Sequence, residues 1–153
     1  MGDDKAFAAN DPRIAPYVEA TLQPEDAVLA EIRQRSRDEG LPDIAVGPCD
    51  GRHLEVLARL VAPHRIVEIG TLGGYSGVCL ARALPPSGRL HTLELEPRHA
   101  EVAAESFRRA GVADRVTMHV GKALDQLEAL EKEGLFDVGF IDADKASYPD
   151  YLR

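Results

Sequence analysis

Val67-Glu68-Ile69-Gly70-Thr71-Leu72-Gly73-Gly74-Tyr75-Ser76 decides how this chain folds. Residues 65–69, Arg-Ile-Val-Glu-Ile, carry the β-branched apolar side chains of a buried strand. The glycines that follow can take backbone angles closed to other residues and let a ligand come close to the main chain. A helix after such a turn points unpaired amides back at the strand end. Strand, glycine-rich turn and helix in succession open a parallel α/β unit.

The same alternation runs on from there. Strands are expected at 65–69, 90–95, 115–120 and 136–141, with helices at 76–84, 97–110 and 122–133. Pro97 suits a helix start, and Gly111 and Gly134 suit helix ends. Strands separated by helices pair in parallel through right-handed crossovers, so the fold class is doubly wound α/β.

Upstream of the first strand the pattern is helical. Residues 12–22 place Ile14, Tyr17, Val18 and Leu22 at helical spacing, and residues 24–39 open at Pro24-Glu25-Asp26 and stop at Gly40. Residues 50–61 put Leu54, Leu57, Ala58 and Val61 on one apolar stripe. Leu41 to Pro48 reads as an extended linker, and residues 1–11 read as frayed. The expected organisation is one domain: a helical segment, 1–63, followed by the α/β part, 64–153. Four strands make a narrow sheet with an apolar fourth edge, which points to C-terminal strands missing from this chain or to another covering segment.

Composition excludes some classes of function. The net charge of −8 argues against a broad nucleic-acid-binding face, which needs clustered Lys and Arg. No apolar run approaches the ~20 residues of a membrane span, and Met1-Gly2-Asp3-Asp4 does not begin a signal peptide. Cys49 and Cys79 stand apart and suit reduced thiols, hence a cytoplasmic protein. The five histidines, 53, 64, 91, 99 and 119, show no metal spacing; His64 and His99 are expected at the surface, and none is given a role.

In doubly wound sheets ligands bind beyond the carboxyl ends of the strands. After the first strand the spacing is Gly70-x-x-Gly73-Gly74-x-x-Gly77, which is not the G-x-G-x-x-G of a dinucleotide site. Leu72 occupies the position of that motif's second glycine. Glu68 would repel a pyrophosphate but suits an amine or a sulfonium, which disfavours a nicotinamide-dependent dehydrogenase. Glu94 closes the second strand 24 residues beyond Gly70, where a carboxylate can accept hydrogen bonds from both hydroxyls of a ribose. Gly121-Lys122-Ala123 follows the third strand with small residues against which an adenine could lie. Asp142, Asp144 and Lys145 follow the fourth, and suit either a hard cation such as Mg²⁺ or a solvated loop with an Asp144–Lys145 ion pair.

Three blocks taken together, Val67 to Ser76, Thr92-Leu93-Glu94-Leu95 and Phe140 to Lys145 with Tyr148 and Tyr151, resemble the cation-dependent S-adenosylmethionine O-methyltransferases, the family of catechol and caffeoyl-CoA O-methyltransferases. The resemblance runs from about Tyr17 to Arg153 and implies a Rossmann-like methyltransferase sheet. It implies that Glu68, Gly70, Ser76 and the backbone near Val46 hold the methionine part of the cofactor, and that Gly74 and Tyr75 also belong to the cofactor site. By the same resemblance Glu94 binds ribose, Ala123 lies near adenine, Asp142 borders the cofactor and ligates Mg²⁺ or another divalent cation, and Lys145 is the general base. The implied acceptor is a small catechol-like or phenolic molecule and the implied assembly a homodimer. A tRNA nucleoside acceptor and a non-catalytic cofactor-binding module are the alternatives. The chain departs from the family's pattern at its C-terminal side, where the family's Asp-Asn metal ligands and last three strands find no counterpart.

Overall fold

The computed structural model describes residues 11–22 and 25–152. The expectation of a frayed 1–10, and Pro24 as the opening of a helix, lie outside the described residues. In chain order the elements are α1 (Ile14–Leu22), α2 (Ala27–Asp38), α3 (Pro48–Val61), β1 (Arg65–Ile69), α4 (Tyr75–Ala83), β2 (Arg89–Glu94), α5 (Pro97–Arg109), β3 (Val116–Val120), α6 (Ala123–Glu131), β4 (Val138–Ile141) and α7 (Tyr148–Tyr151). Short 3₁₀ turns precede β3, at Ala113–Arg115, and α7, at Lys145–Ser147.

Every expected element is present, and its ends differ for local reasons. Helix α2 begins behind Asp26, whose carboxylate accepts the Leu29 amide at 2.9 Å and satisfies one of the free donors of the first turn. Helix α3 starts two residues early, because Pro48 fits the first helical position. Strand β4 starts late, at Val138. Asp137 turns back to accept the amides of His64 and Arg65 at 2.7 and 2.9 Å, and Phe136 packs edge-on against His91.

The strands pair in parallel in the order β3-β2-β1-β4, with Ile66 opposite Leu90 and Ile69 opposite both Leu93 and Ile141. Strand alternation then divides the core in two. Ile66 and Leu90 face α4 and α5, in a cluster with Val78, Leu80, Ala103 and Phe107. Val67, Ile69 and Leu93 face the other way, toward Leu127 and Leu130 of α6. Helix α4 is buried from Tyr75 to Ala81 because α3, α5 and the sheet all cover it. Leu29 and Ile32 of α2 join the first cluster, worth about 1.5–3 kcal/mol each in buried apolar surface.

The apolar stripe expected on α3 is corrected. Ala58 is buried and Leu54 half-buried, but Leu57 and Val61 are 58% and 56% exposed. The buried line instead runs through Gly51, Glu55 and Ala58. A Cβ at Gly51 would meet the Tyr75 ring, so the helix approaches α4 along its smallest residues. Glu55 tolerates burial because Arg52 and Arg59 of its own helix pair with it at 3.2 and 2.8 Å.

Candidate functional site

A cavity of about 950 Å³ opens at the carboxyl ends of β1, β2 and β4. Its floor is the loop after β1, its roof is α2 with residues 42–46, and its sides come from the segments after β2, β3 and β4. Of the residues singled out in the sequence, Val46, Gly70, Tyr75, Ser76, Glu94, Ala123, Asp142, Asp144 and Lys145 line it. Its volume suits a small molecule with a cofactor-sized footprint.

The floor is built by backbone stitching. Gly70 donates its amide to Leu93 and Asp142 donates to Ile69, both at 2.9 Å, so the ends of β2, β1 and β4 are tied together. Gly70 has φ +98°, and a Cβ there would collide with the Asp142 carbonyl oxygen. Glycine is required at this position by both facts.

Glu94 is held by the same floor. One carboxylate oxygen accepts the amides of Thr71 and Leu72 at 3.1 and 2.7 Å, and the other accepts the Glu96 amide at 3.0 Å. Leu72 reaches its position through a left-handed backbone, φ +49°, a conformation that costs a non-glycine residue about 1–2 kcal/mol. The bond to a carboxylate offsets that cost. The leucine at the expected glycine position therefore helps to orient the acid.

Glu68 departs from its expected place. It does not line the cavity and is completely buried, because the alternation of β1 directs it sideways into α4. Ser76 and Thr92 donate their hydroxyls to its two oxygens at 2.6 Å each. Thr92 has only one proton to give, so Thr71, 2.6 Å away, donates to Thr92. Burial pushes the Glu68 carboxyl up to about 7, the two hydroxyl donors pull against that, and the negative charges of Asp142 and Glu94 add to it. Glu68 thus braces the floor through Ser76 and Thr92.

Gly74 also misses the cavity. Its φ is +87° and its open side lies against Ala103 of α5, so it serves close helix packing. The Tyr75 ring is wedged between Gly51 and the Arg33 guanidinium, 4.8 Å over its face, and its hydroxyl donates to Glu25 at 2.9 Å. Burial keeps that phenol protonated far above its ordinary range.

The β4 side is organised differently. Asp142 is exposed, and its side chain makes no hydrogen bond among the described residues. Asp144 does not pair with it or with Lys145. It caps the following 3₁₀ turn, accepting the Ser147 amide at 3.0 Å and the Tyr151 hydroxyl at 2.9 Å, and those bonds hold it below the usual carboxylate range. Lys145 is exposed on the cavity wall and has no carboxylate within ion-pair distance among the described residues. No group of three or more His, Cys, Asp or Glu side chains among them could hold a metal ion. The described residues therefore do not by themselves fit a complete Mg²⁺ site, which needs six oxygens.

Sequence reasoning missed His99. It was expected at the surface without a role, yet it is half-buried, lines the cavity, and places Nδ1 3.4 Å from Glu94. Its position in the first turn of the helix after Glu94 was the available signal. Arg33, Ser36 and Arg37 of α2 also line the cavity and were not singled out, since the resemblance names the N-terminal helices as a segment closing over the cofactor but no local pattern says which of their residues face it.

Comparison with known proteins finds relatives over most of the chain. Residues 19–153 match the family model described as O-methyltransferase. A catechol O-methyltransferase of Niastella koreensis is 44% identical over 139 residues, covering 90% of this chain and 63% of the relative. One of Mycobacterium tuberculosis is 46% identical over 153 residues, covering 100% of this chain and 68% of the relative. The crystal structure of an O-methyltransferase from Bacillus cereus in complex with S-adenosylhomocysteine superimposes with a TM-score of 0.87 at 42% identity, covering 92% of this chain and 64% of that one. The chain thus spans a little under two thirds of the length of the Niastella relative and of that structure. No helix among the described residues is long and apolar enough to cross a membrane.

Proposed function

This chain belongs to the O-methyltransferase family, and on that premise we propose that it is the S-adenosylmethionine-binding part of an enzyme that methylates a hydroxyl of a small catechol-like or phenolic acceptor with the help of a divalent cation. The observation that carries the reading is Glu94, fixed by three backbone amides at the mouth of a glycine-floored cavity. A preoriented carboxylate beside an open backbone suits a ligand with a ribose and an amino-acid tail. The S-adenosylhomocysteine bound in the Bacillus cereus relative is such a ligand.

The chain's own residues have separable tasks in this reading. Gly70 lets the methionine part approach the backbone, Val46 and Ser76 bound it, and Glu94 accepts from the ribose. Ala123 and Gly121 leave room for adenine. Bound S-adenosylmethionine supplies the methyl group on its sulfonium. Lys145, on the wall beside Asp142, takes the proton of the acceptor hydroxyl. Asp142 is the contribution of the described residues to a cation whose shell they do not complete. The exposed Leu57, Leu60 and Val61 of α3 support the implied homodimer, and the free Cys49 and Cys79 suit a cytoplasmic protein.

The test is calorimetric titration of this chain with S-adenosylhomocysteine, with and without Mg²⁺. Binding is expected, with an affinity that Mg²⁺ changes by less than about twofold, since a lone carboxylate holds Mg²⁺ poorly. Absence of binding sinks the cofactor reading for this chain.

A further inference from the structure

We propose that His91 and His119 form a proton-sensitive latch, His119 donating to His91 and His91 donating toward Glu133, which fastens the connection between α6 and β4 to the sheet at neutral pH. Neither ring lines the cavity, so the inference stands apart from the cofactor reading. His91 on β2 shares its strand face with Leu93, and His119 on β3 lies opposite Leu93, so both rings are on the side of the sheet that α6 covers. His91 is buried and His119 half-buried. His91 Nδ1 and His119 Nε2 are 3.2 Å apart. The ring centres are 5.4 Å apart and the ring planes differ by 13°. The centres are thus farther apart than the nitrogens by about two ring radii, and the rings meet edge to edge, in the plane that a hydrogen bond between them requires.

One proton lies between the two nitrogens, and Glu133 decides which ring owns it. Glu133 Oε2 is 3.8 Å from His91 Nε2. A carboxylate there favours an N–H on Nε2 and repels a bare lone pair. A neutral imidazole has a single N–H, so His91 Nδ1 must accept and His119 Nε2 must donate. The pair can take one further proton, at His119 Nδ1, and keep its bond. A second sets N–H against N–H and breaks it. The same rings anchor the connection. Phe136 stands edge-on to His91, with ring centres 5.5 Å apart. Arg65 of β1 lies 4.5 Å over the Phe136 ring, donates to the Glu133 and Leu135 carbonyls at 2.7 and 3.2 Å, and approaches the Glu133 carboxylate at 3.5 Å. Burial pulls both imidazoles below their ordinary value of 6.5 and Glu133 pulls the other way, while His119, Arg65 and Arg89 add to the lowering of His91. The folded chain therefore resists these protons. The contribution of the pair is fully present above 6.5 and is lost as the pH falls through the folded values.

The experiment is nitrogen NMR of the histidine-labelled chain through a pH titration, together with hydrogen exchange of the Asp137 amide, which donates to the Arg65 carbonyl at 2.9 Å. At about pH 7.5 both His91 and His119 should be Nε2–H tautomers, and the pair should take its protons in two separate steps below 6.5. Glu133→Ala, a change at an exposed side chain, should mix the His91 tautomers and move the first step to lower pH. His119→Leu should speed Asp137 exchange about tenfold, the worth of one hydrogen bond, and His119→Gln, which keeps an N–H donor, should restore most of the protection. An Nδ1–H tautomer on His91, two rings titrating independently, or a titration that Glu133→Ala leaves unchanged overturns the assignment. Unchanged exchange in His119→Leu overturns the latch. The wild-type chain carries the same test should that variant not fold: Asp137 protection should fall about tenfold as the pair takes its second proton, ahead of the β1 amides, and protection that falls only together with theirs refutes the latch.

Discussion

The two ends of the cavity are built to different standards. At the β1–β2 end, Glu94, Thr71, Thr92 and Glu68 are buried, and every carboxylate oxygen has a donor at 3.1 Å or closer. At the β4 end, Asp142, Asp144 and Lys145 are exposed, Asp142 makes no side-chain hydrogen bond among the described residues, and β4 is an outer strand of the sheet they form. A site holds geometry only where packing and further hydrogen bonds lock its side chains. The first end is therefore a finished binding surface. The second presents reactive groups whose final positions depend on what comes to rest against them. On the function proposed above, this difference suits cofactor binding at the first end and acceptor chemistry at the second.

Gly70 joins the two ends, and breaking it should have the largest effect. Gly70→Ala forces a Cβ against the Asp142 carbonyl at a backbone angle that L residues resist. It should cost about 3 kcal/mol or more of stability and abolish S-adenosylhomocysteine binding. Thermal unfolding and calorimetry read both, and an alanine variant with wild-type affinity would refute the account of the floor.

The buried end should also show itself as a pH dependence. Glu68 is raised by burial from its ordinary value of 4.5 to about 7, so the folded chain keeps its proton where the unfolded chain has lost it. The contribution is fully present below pH 4.5, and it is lost as the pH rises to about 7. Glu68→Gln, neutral throughout, should gain stability over wild type across that window, by on the order of 3 kcal/mol as an upper bound. Urea unfolding at pH 5 and pH 8 tests the sign, and a constant difference between the two proteins would place the charge elsewhere.

The smallest structural effect is expected at the other end. Lys145→Ala should leave the melting temperature unchanged within error and S-adenosylhomocysteine affinity within about twofold, because an exposed side chain with no ion pair among the described residues contributes little. Turnover with a catechol acceptor and Mg²⁺ should fall by about a hundredfold or more if Lys145 moves the proton. Equal losses of affinity and turnover would dissolve the contrast between the two ends.

Much of the first end was legible in sequence, because its signals are local. The glycines after β1, the alternation of strand and helix, and Glu94 at the second strand end are all fixed by neighbours in the chain. Glu68 misled. Its place at a strand end was readable, but which face of β1 it occupies depends on where α4 packs, and that is a tertiary fact. Asp144 stayed open for a related reason: an Asp beside a charged cluster can cap a turn as readily as face a cation, and the Ser147 and Tyr151 contacts that make it a cap are tertiary detail. The α3 stripe failed because helical periodicity names an apolar face without saying what covers it.

The amino-acid sequence by itself determined the order of elements, the parallel doubly wound sheet, the glycine floor and the acid that follows β2, since each follows from periodicity and backbone preference over a few residues. Tertiary structure alone decided that Glu68 bonds Ser76 and Thr92, which residues of α2 face the cavity, and that His99 stands 3.4 Å from Glu94. Those relations join residues on different elements. Their distances are set by how helices and strands pack against one another, which no local pattern encodes.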